Sequence, residues 1–402
     1  MKSRALRSTF LLVLMAAMGA AAFPAGINVD HIELLTHGGL EGGKFTVGSR
    51  LYYDMSLEGG DKFAGLLRLE YLSGSVEEDL YNAGLVLSQT GNDTTDIKAI
   101  IAKLNALVSP RLRTAAVTAR RVFGSPLEAA YFVGYLDTVA SGDDYMALFG
   151  SAPFGTELRG PMVYPEGVGG NADLYYEGLD AVYGTGLRLG LVEKTKAYYL
   201  YAYQDADIAT GAWSALFRAL FDSGSLKLEA FGGASLVSSA PLGLYRAGLL
   251  FDYAPGNVGE FFAQVGMTRW NPSEGLGIKN FYFLFEPRIN FYPGTLAVTV
   301  FYHPYWYRQK ATGESGAFDL NLNLKFGDIS KTGAQGGATT LLSFRPPTSA
   351  DTTAMATIDL SPYYSVISSG VEWSFKLDLR LFPFPSPWYG MFRPYVGVKT
   401  SF

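Results

Sequence analysis

Charged side chains in this sequence recur at every second position. Glu372, Lys376, Asp378 and Arg380 alternate with Val371, Trp373, Phe375, Leu377, Leu379 and Leu381. Arg68 and Glu70 stand between Leu67, Leu69 and Tyr71. Asp319, Asn321, Asn323 and Lys325 are interleaved with Phe318, Leu320, Leu322, Leu324 and Phe326. Arg188 shares its parity with Gly184, Gly186 and Gly190, opposite Leu187, Leu189 and Leu191. Such rows can pair charges and sort solutes by charge. They do not assemble an acid, a base and a nucleophile. His31, His37 and His303 are scattered and there is no cysteine, so no zinc or iron site is expected. No phosphate loop or dinucleotide fingerprint follows a strand and opens a helix. We expect no enzyme, no cofactor and no metal.

Side chains alternate faces along a strand. Residues 371–381 therefore form a strand with one apolar face and one charged face. Its length, about eleven residues, is what a tilted strand needs to cross a bilayer. Soluble sheets alternate too, but here the pattern recurs down most of the chain. With 47 Gly, 26 Tyr and 27 Phe, the composition suits curved sheets and membrane interfaces.

Lys2, Arg4 and Arg7 precede the short apolar run 9–18 and Ala20-Ala21-Ala22. That is the form of a signal peptide over residues 1–22. The net charge is −5, and losing those three cations with no acid brings it to −8. A mildly acidic chain argues against a nucleic-acid partner. Residues 23–43, apolar and then Gly-rich, read either as a lead-in or as a plug, and the barrel as 44–402.

Strands read at 44–56, 62–72, 81–89, 113–122 and 128–138, followed by regular hairpins from 180 to 402. Ile97, Ile100, Ile101, Leu104, Leu107 and Val108 recur at helical spacing, which places a helix over 96–108. Barrels of this kind have even strand numbers, short turns at one end and long loops at the other. Counting the 81–89 strand gives eighteen, with 14–18 open. Trp213, Trp270, Trp306 and Trp388 fall at the long-loop ends of strands, as in an aromatic girdle. The longest loop, 139–178, carries Asp143, Asp144, Glu157, Glu166 and Asp173 against Arg159 alone among basic residues.

The chain ends on an alternating strand with Phe392, Val396, Val398 and terminal Phe402 on one face, joined by Pro394 and Thr400. This resembles the C-terminal assembly signal of bacterial outer-membrane β-barrel proteins. The resemblance is to the class, porin-like. It implies an all-β, antiparallel up-and-down transmembrane barrel in the cell outer membrane, with short periplasmic turns and long extracellular loops. The lipid bilayer, the outer-membrane assembly machinery and small solutes are the partners it implies. The function expected is diffusion of small solutes through a polar lumen. In that setting the acidic loop either resembles the constriction loop of porins, folding against the glycine face beside Arg188, or stays outside beside a curved wall. Two other readings stay open: a barrel similar to fatty-acid transporters, or a surface adhesin or structural barrel. The oligomeric state is not legible.

Overall fold

A computed structural model describes residues 26–41, 44–60, 62–73, 111–138, 142–150, 181–206, 208, 211–256, 258–304, 316–347 and 355–401. Eighteen antiparallel strands form one sheet. They are β1 Gly26–Glu41, β2 Lys44–Gly59, β3 Phe63–Ser73, β4 Arg111–Ala119, β5 Leu127–Thr138 and β6 Ala181–Val192. Next come β7 Lys196–Asp205, β8 Ala212–Asp222, β9 Leu226–Val237, β10 Ala240–Tyr253, β11 Gly259–Trp270 and β12 Phe281–Phe291. The last six are β13 Gly294–Pro304, β14 Gly316–Gly327, β15 Ala334–Arg345, β16 Met355–Ser368, β17 Val371–Phe382 and β18 Phe392–Ser401. Each strand pairs with its neighbours in sequence, and β1 also pairs with β18. The sheet is thereby closed, with no free edge.

Closure falls to residues read above as a lead-in or plug. β1 runs beside β2 from Gly26↔Glu58 to Glu41↔Lys44 and beside β18 from His31↔Ser401 to His37↔Tyr395. A register shift between Val29 and His31 switches the outward positions from odd to even. Val29, Ile32 and Leu34 therefore share the outer face, and simple alternation is broken.

The count of eighteen stands, but by a different strand. β3 pairs directly with β4, from Phe63↔Ala119 to Glu70↔Arg111. The wall has no place there for a strand from 81–89. Those residues and the helix read at 96–108 lie outside the described residues.

Short turns lie at one end, among them 193–195, 223–225, 292–293 and 369–370. The long connections 139–180 and 271–280 lie at the other, so the alternation of turn and loop follows the sequence reading from residue 123 onward. At the short-turn end Asp328 caps α2, Ile329–Thr332. Its carboxylate accepts from the Ser330 hydroxyl at 2.6 Å and the Ser330 amide at 3.1 Å, and lies 2.9 Å from Lys331. These bonds bring its pKa down to about 2.

The outer surface is apolar. Leu187, Leu200, Phe217, Leu249 and Phe285 are exposed on it, while the alternate residues of the same strands are buried. Such a band suits a bilayer's hydrocarbon core. Trp213 and Trp388 are exposed and Trp270 is partly so, all at the long-loop end. Trp306 lies outside the described residues.

Candidate functional site

The side chains that face the lumen fall into two arcs. Over β5–β13 they form one apolar cluster that includes Phe132, Tyr199, Tyr201, Leu216, Leu220, Phe231, Leu250, Phe262, Tyr282 and Phe301. Several of these strands carry apolar residues on both faces over part of their length; β7 puts Tyr199, Tyr201 and Tyr203 inside and Tyr198 and Leu200 outside. No alternation survives in such a segment to mark its inner face. That is why the cluster was missed, although a strand apolar on both sides is itself the sign of a dry interior.

Glycines make room for this cluster. Gly186 stands directly opposite Tyr203, Gly190 opposite Tyr199, Gly248 opposite Phe231, Gly266 opposite Tyr282 and Gly337 opposite Tyr363. A Cβ at Gly190 would lie 2.7 Å from the Tyr199 ring, and one at Gly248 would lie 2.4 Å from the Phe231 ring. At Gly190, Gly248, Gly266 and Gly337 the aromatic side chain thus lies along the wall over its neighbour's glycine, while the Tyr203 ring lies beside Gly184. Tyr199 and Tyr203 pack on the smooth face beside Arg188; residues 151–180 of the acidic loop lie outside the described residues. Arg188 pairs with wall carboxylates, Asp137 at 3.1 Å and Glu128 at 4.0 Å, and stacks over Tyr199 at 4.9 Å. Asp137 also accepts from the Tyr201 hydroxyl at 2.6 Å.

The start of the long loop does reach this arc, through apolar side chains. Helix α1, Gly142–Phe149, places Tyr145 fully buried in the cluster with Leu148 and Phe149 packed against it. The Tyr145 hydroxyl donates to the Leu228 carbonyl at 2.7 Å. Burial, then the Glu229 carboxylate, holds that hydroxyl far above the usual phenol range, so it remains a donor. Met146, on the opposite face of α1, is 55% exposed. Asp143 and Asp144 lie in the first turn of α1, with side chains outside the description. Glu157, Glu166 and Asp173 lie outside the described residues.

Ion pairs separate the arcs by their access to water. In the apolar arc, Arg218 with Glu229 and Arg246 with Asp205 are sealed, every side chain at most 4% exposed. Arg288 and Glu286 are 2.6 Å apart, with Glu286 buried and Arg288 10% exposed, and Thr299 donates to Glu286 at 2.5 Å. Along β16, β17 and β1–β3 most charges have more access to water, although Arg50 is itself only 3% exposed. Arg68 and Asp54, 3.2 Å apart, are 30% and 22% exposed; Arg380 and Asp359 are 32% and 19% exposed. Lys376 and Asp378 pair at 2.9 Å, His31 and Glu33 at 3.2 Å, and Arg50 and Glu70 at 2.5 Å.

The residues read from sequence as lining the pore differ in their access to solvent. Asp319, Asn321 and Asn323 are buried. Ser343 donates to Asp319, and the Tyr363 hydroxyl donates to Asn323 at 3.0 Å. Lys325 is partly exposed, as are Arg68, Glu70, Glu372, Lys376, Asp378 and Arg380. Phe402 lies outside the described residues; β18 is followed to Ser401.

Among solved structures, the chain is similar to a mutant of the Rh. blastica porin. Identity is 12%, 94% of this chain and 100% of that one are covered, and the TM-score is 0.46. It is also similar to Salmonella typhi OmpF in complex with daunomycin, at 9% identity, 94% and 97% coverage and a TM-score of 0.45. Pseudomonas putida OprB, in its low-pH structure, is similar at 9% identity, 94% and 93% coverage and a TM-score of 0.40. No protein-family model and no curated protein matches the chain by sequence. Likeness at this level says nothing of what passes through this barrel.

Proposed function

We propose that this chain is an outer-membrane channel whose conducting path runs along one side of the lumen, between α1 and the arc β16–β18, β1–β3. The observation that carries this is the contrast in water access between the sealed and the accessible ion pairs on the two arcs. Dry pairs are scaffolding. Wet pairs with balanced charge set which small ions and polar solutes pass. In this reading the residues 1–22 direct export, the apolar outer band sits in the bilayer, and the last strand with Phe402 serves assembly. Helix α1 narrows the passage as a constriction. This reading assigns Asp143 and Asp144, in the first turn of α1, to that constriction.

The test is single-channel recording on refolded protein in a planar bilayer. Discrete current steps are expected, smaller than an unobstructed eighteen-strand barrel would pass. Silence in a correctly folded barrel would overturn the reading.

A further inference from the structure

Helix α1 occupies a seat that has the attributes of a binding site. The wall beneath it is mostly apolar, with the sealed Arg218–Glu229 pair close by. What covers it is narrow: Tyr145, Leu148 and Phe149 on one face of eight residues, with Met146 on the other face in water. A helix this short has little stability of its own. Among the described residues, one hydrogen bond ties its side chains to the wall, from the Tyr145 hydroxyl to the Leu228 carbonyl.

We propose that the seat binds a small neutral phenol or aryl alcohol entering from the lumen, which displaces α1 by taking the place of the Tyr145 side chain. This deepens the channel reading and rests on it, since a solute would reach α1 through the lumen. The class follows from what fills the seat now. Tyr145 supplies a ring for the apolar cluster, tilted 58° to Phe149 at 5.6 Å, and one donor for one carbonyl acceptor. An apolar concavity with a single placed polar group is the usual form of a small-molecule site. The charges that act most on Tyr145 are Glu229, Arg218, Asp222 and Asp252, with Lys227 paired to Asp222, so acids outnumber bases. A phenol is accepted there and a carboxylate is disfavoured. The acceptor also sets p-cresol above toluene, because its hydroxyl regains the bond that Tyr145 makes to the Leu228 carbonyl.

The experiment is amide hydrogen exchange of the wild-type barrel, followed over residues 142–149 with p-cresol, toluene or 4-methylbenzoate. Saturable acceleration by p-cresol, with less from toluene and none from 4-methylbenzoate, is expected. Tyr145→Phe, which keeps the ring and removes the donor, should lower the half-maximal p-cresol concentration by about fivefold. Exchange that p-cresol leaves unchanged overturns the proposal, and so does equal acceleration by toluene. Single-channel steps without added phenol keep the two readings apart. Steps with flat exchange would retire the seat alone. A silent barrel whose exchange responds as expected would retire the channel and leave the seat.

Discussion

Tyr199 lies over Gly190 on the neighbouring strand. The two stand directly opposite in the β6–β7 ladder, and a Cβ on residue 190 would sit 2.7 Å from the ring. Gly186 is more tightly enclosed, since a Cβ there would meet the Ala202 carbonyl oxygen at 2.3 Å and the Tyr203 Cα at 2.5 Å. A ring can tilt away; backbone cannot. Gly190→Ala should therefore cost about 1–3 kcal/mol and Gly186→Ala about 3 kcal/mol or more. Urea unfolding of the refolded barrels checks the order. A Gly186→Ala barrel as stable as Gly190→Ala would contradict it.

The two classes of ion pair should respond differently to neutralisation. Glu229→Gln strands the sealed Arg218, and losing one partner of a buried pair costs about 3–5 kcal/mol. Replacing both residues with methionine should restore most of that loss. Asp359→Asn, at a pair open to water, should cost about 1 kcal/mol or less. Thermal unfolding of the variants in detergent distinguishes these cases.

Conductance should follow the wet arc. Arg380→Gln removes a cation from the path, so the reversal potential in a salt gradient should move toward cation preference. Asp359→Asn should move it the other way. Arg218→Met, in the sealed arc, should leave it in place, and a shift of equal size there would place the path elsewhere.

Acid should weaken the α2 turn through Asp328. A carboxylate whose pKa falls from 3.8 to about 2 on folding stabilises the fold at pH above the unfolded value, and that stability fades as pH drops toward 2. Asp328→Asn keeps the cap but not the charge. The difference in melting temperature between the two proteins should shrink between pH 5 and pH 2. A difference that stays constant over that range would refute the assignment.

β1 should be indispensable to the barrel. A chain beginning at Lys44 leaves the edges of β2 and β18 unpaired, with two rows of backbone groups that lipid cannot satisfy. Refolding should then yield no band that migrates differently on gels before and after boiling. A removable plug would leave that band intact.

Much of the wall was legible from pairs of neighbouring positions. Residues 371–382 and 316–327 carry one apolar and one polar face, and both lie in the barrel with those faces out and in. Alternation is a local property, since each side chain's face follows from its neighbour's. β1 escaped because its register shift breaks the period near the strand's start. The total of eighteen was reached through residues 81–89 because parity constrains a sum without saying which segments compose it.

The sequence by itself determined a closed barrel, the faces of its amphipathic strands and the end at which its long loops lie. The tertiary structure alone decided which inward charges are dry and which are wet. Arg218 and Arg380 both face the lumen, yet one is sealed and the other meets water. Burial of an inward side chain depends on what stands across the lumen and beside it on neighbouring strands. For Arg218 those neighbours are aromatics fitted over glycines and a helix from a loop 70 residues earlier in the chain, none of which its own strand can encode.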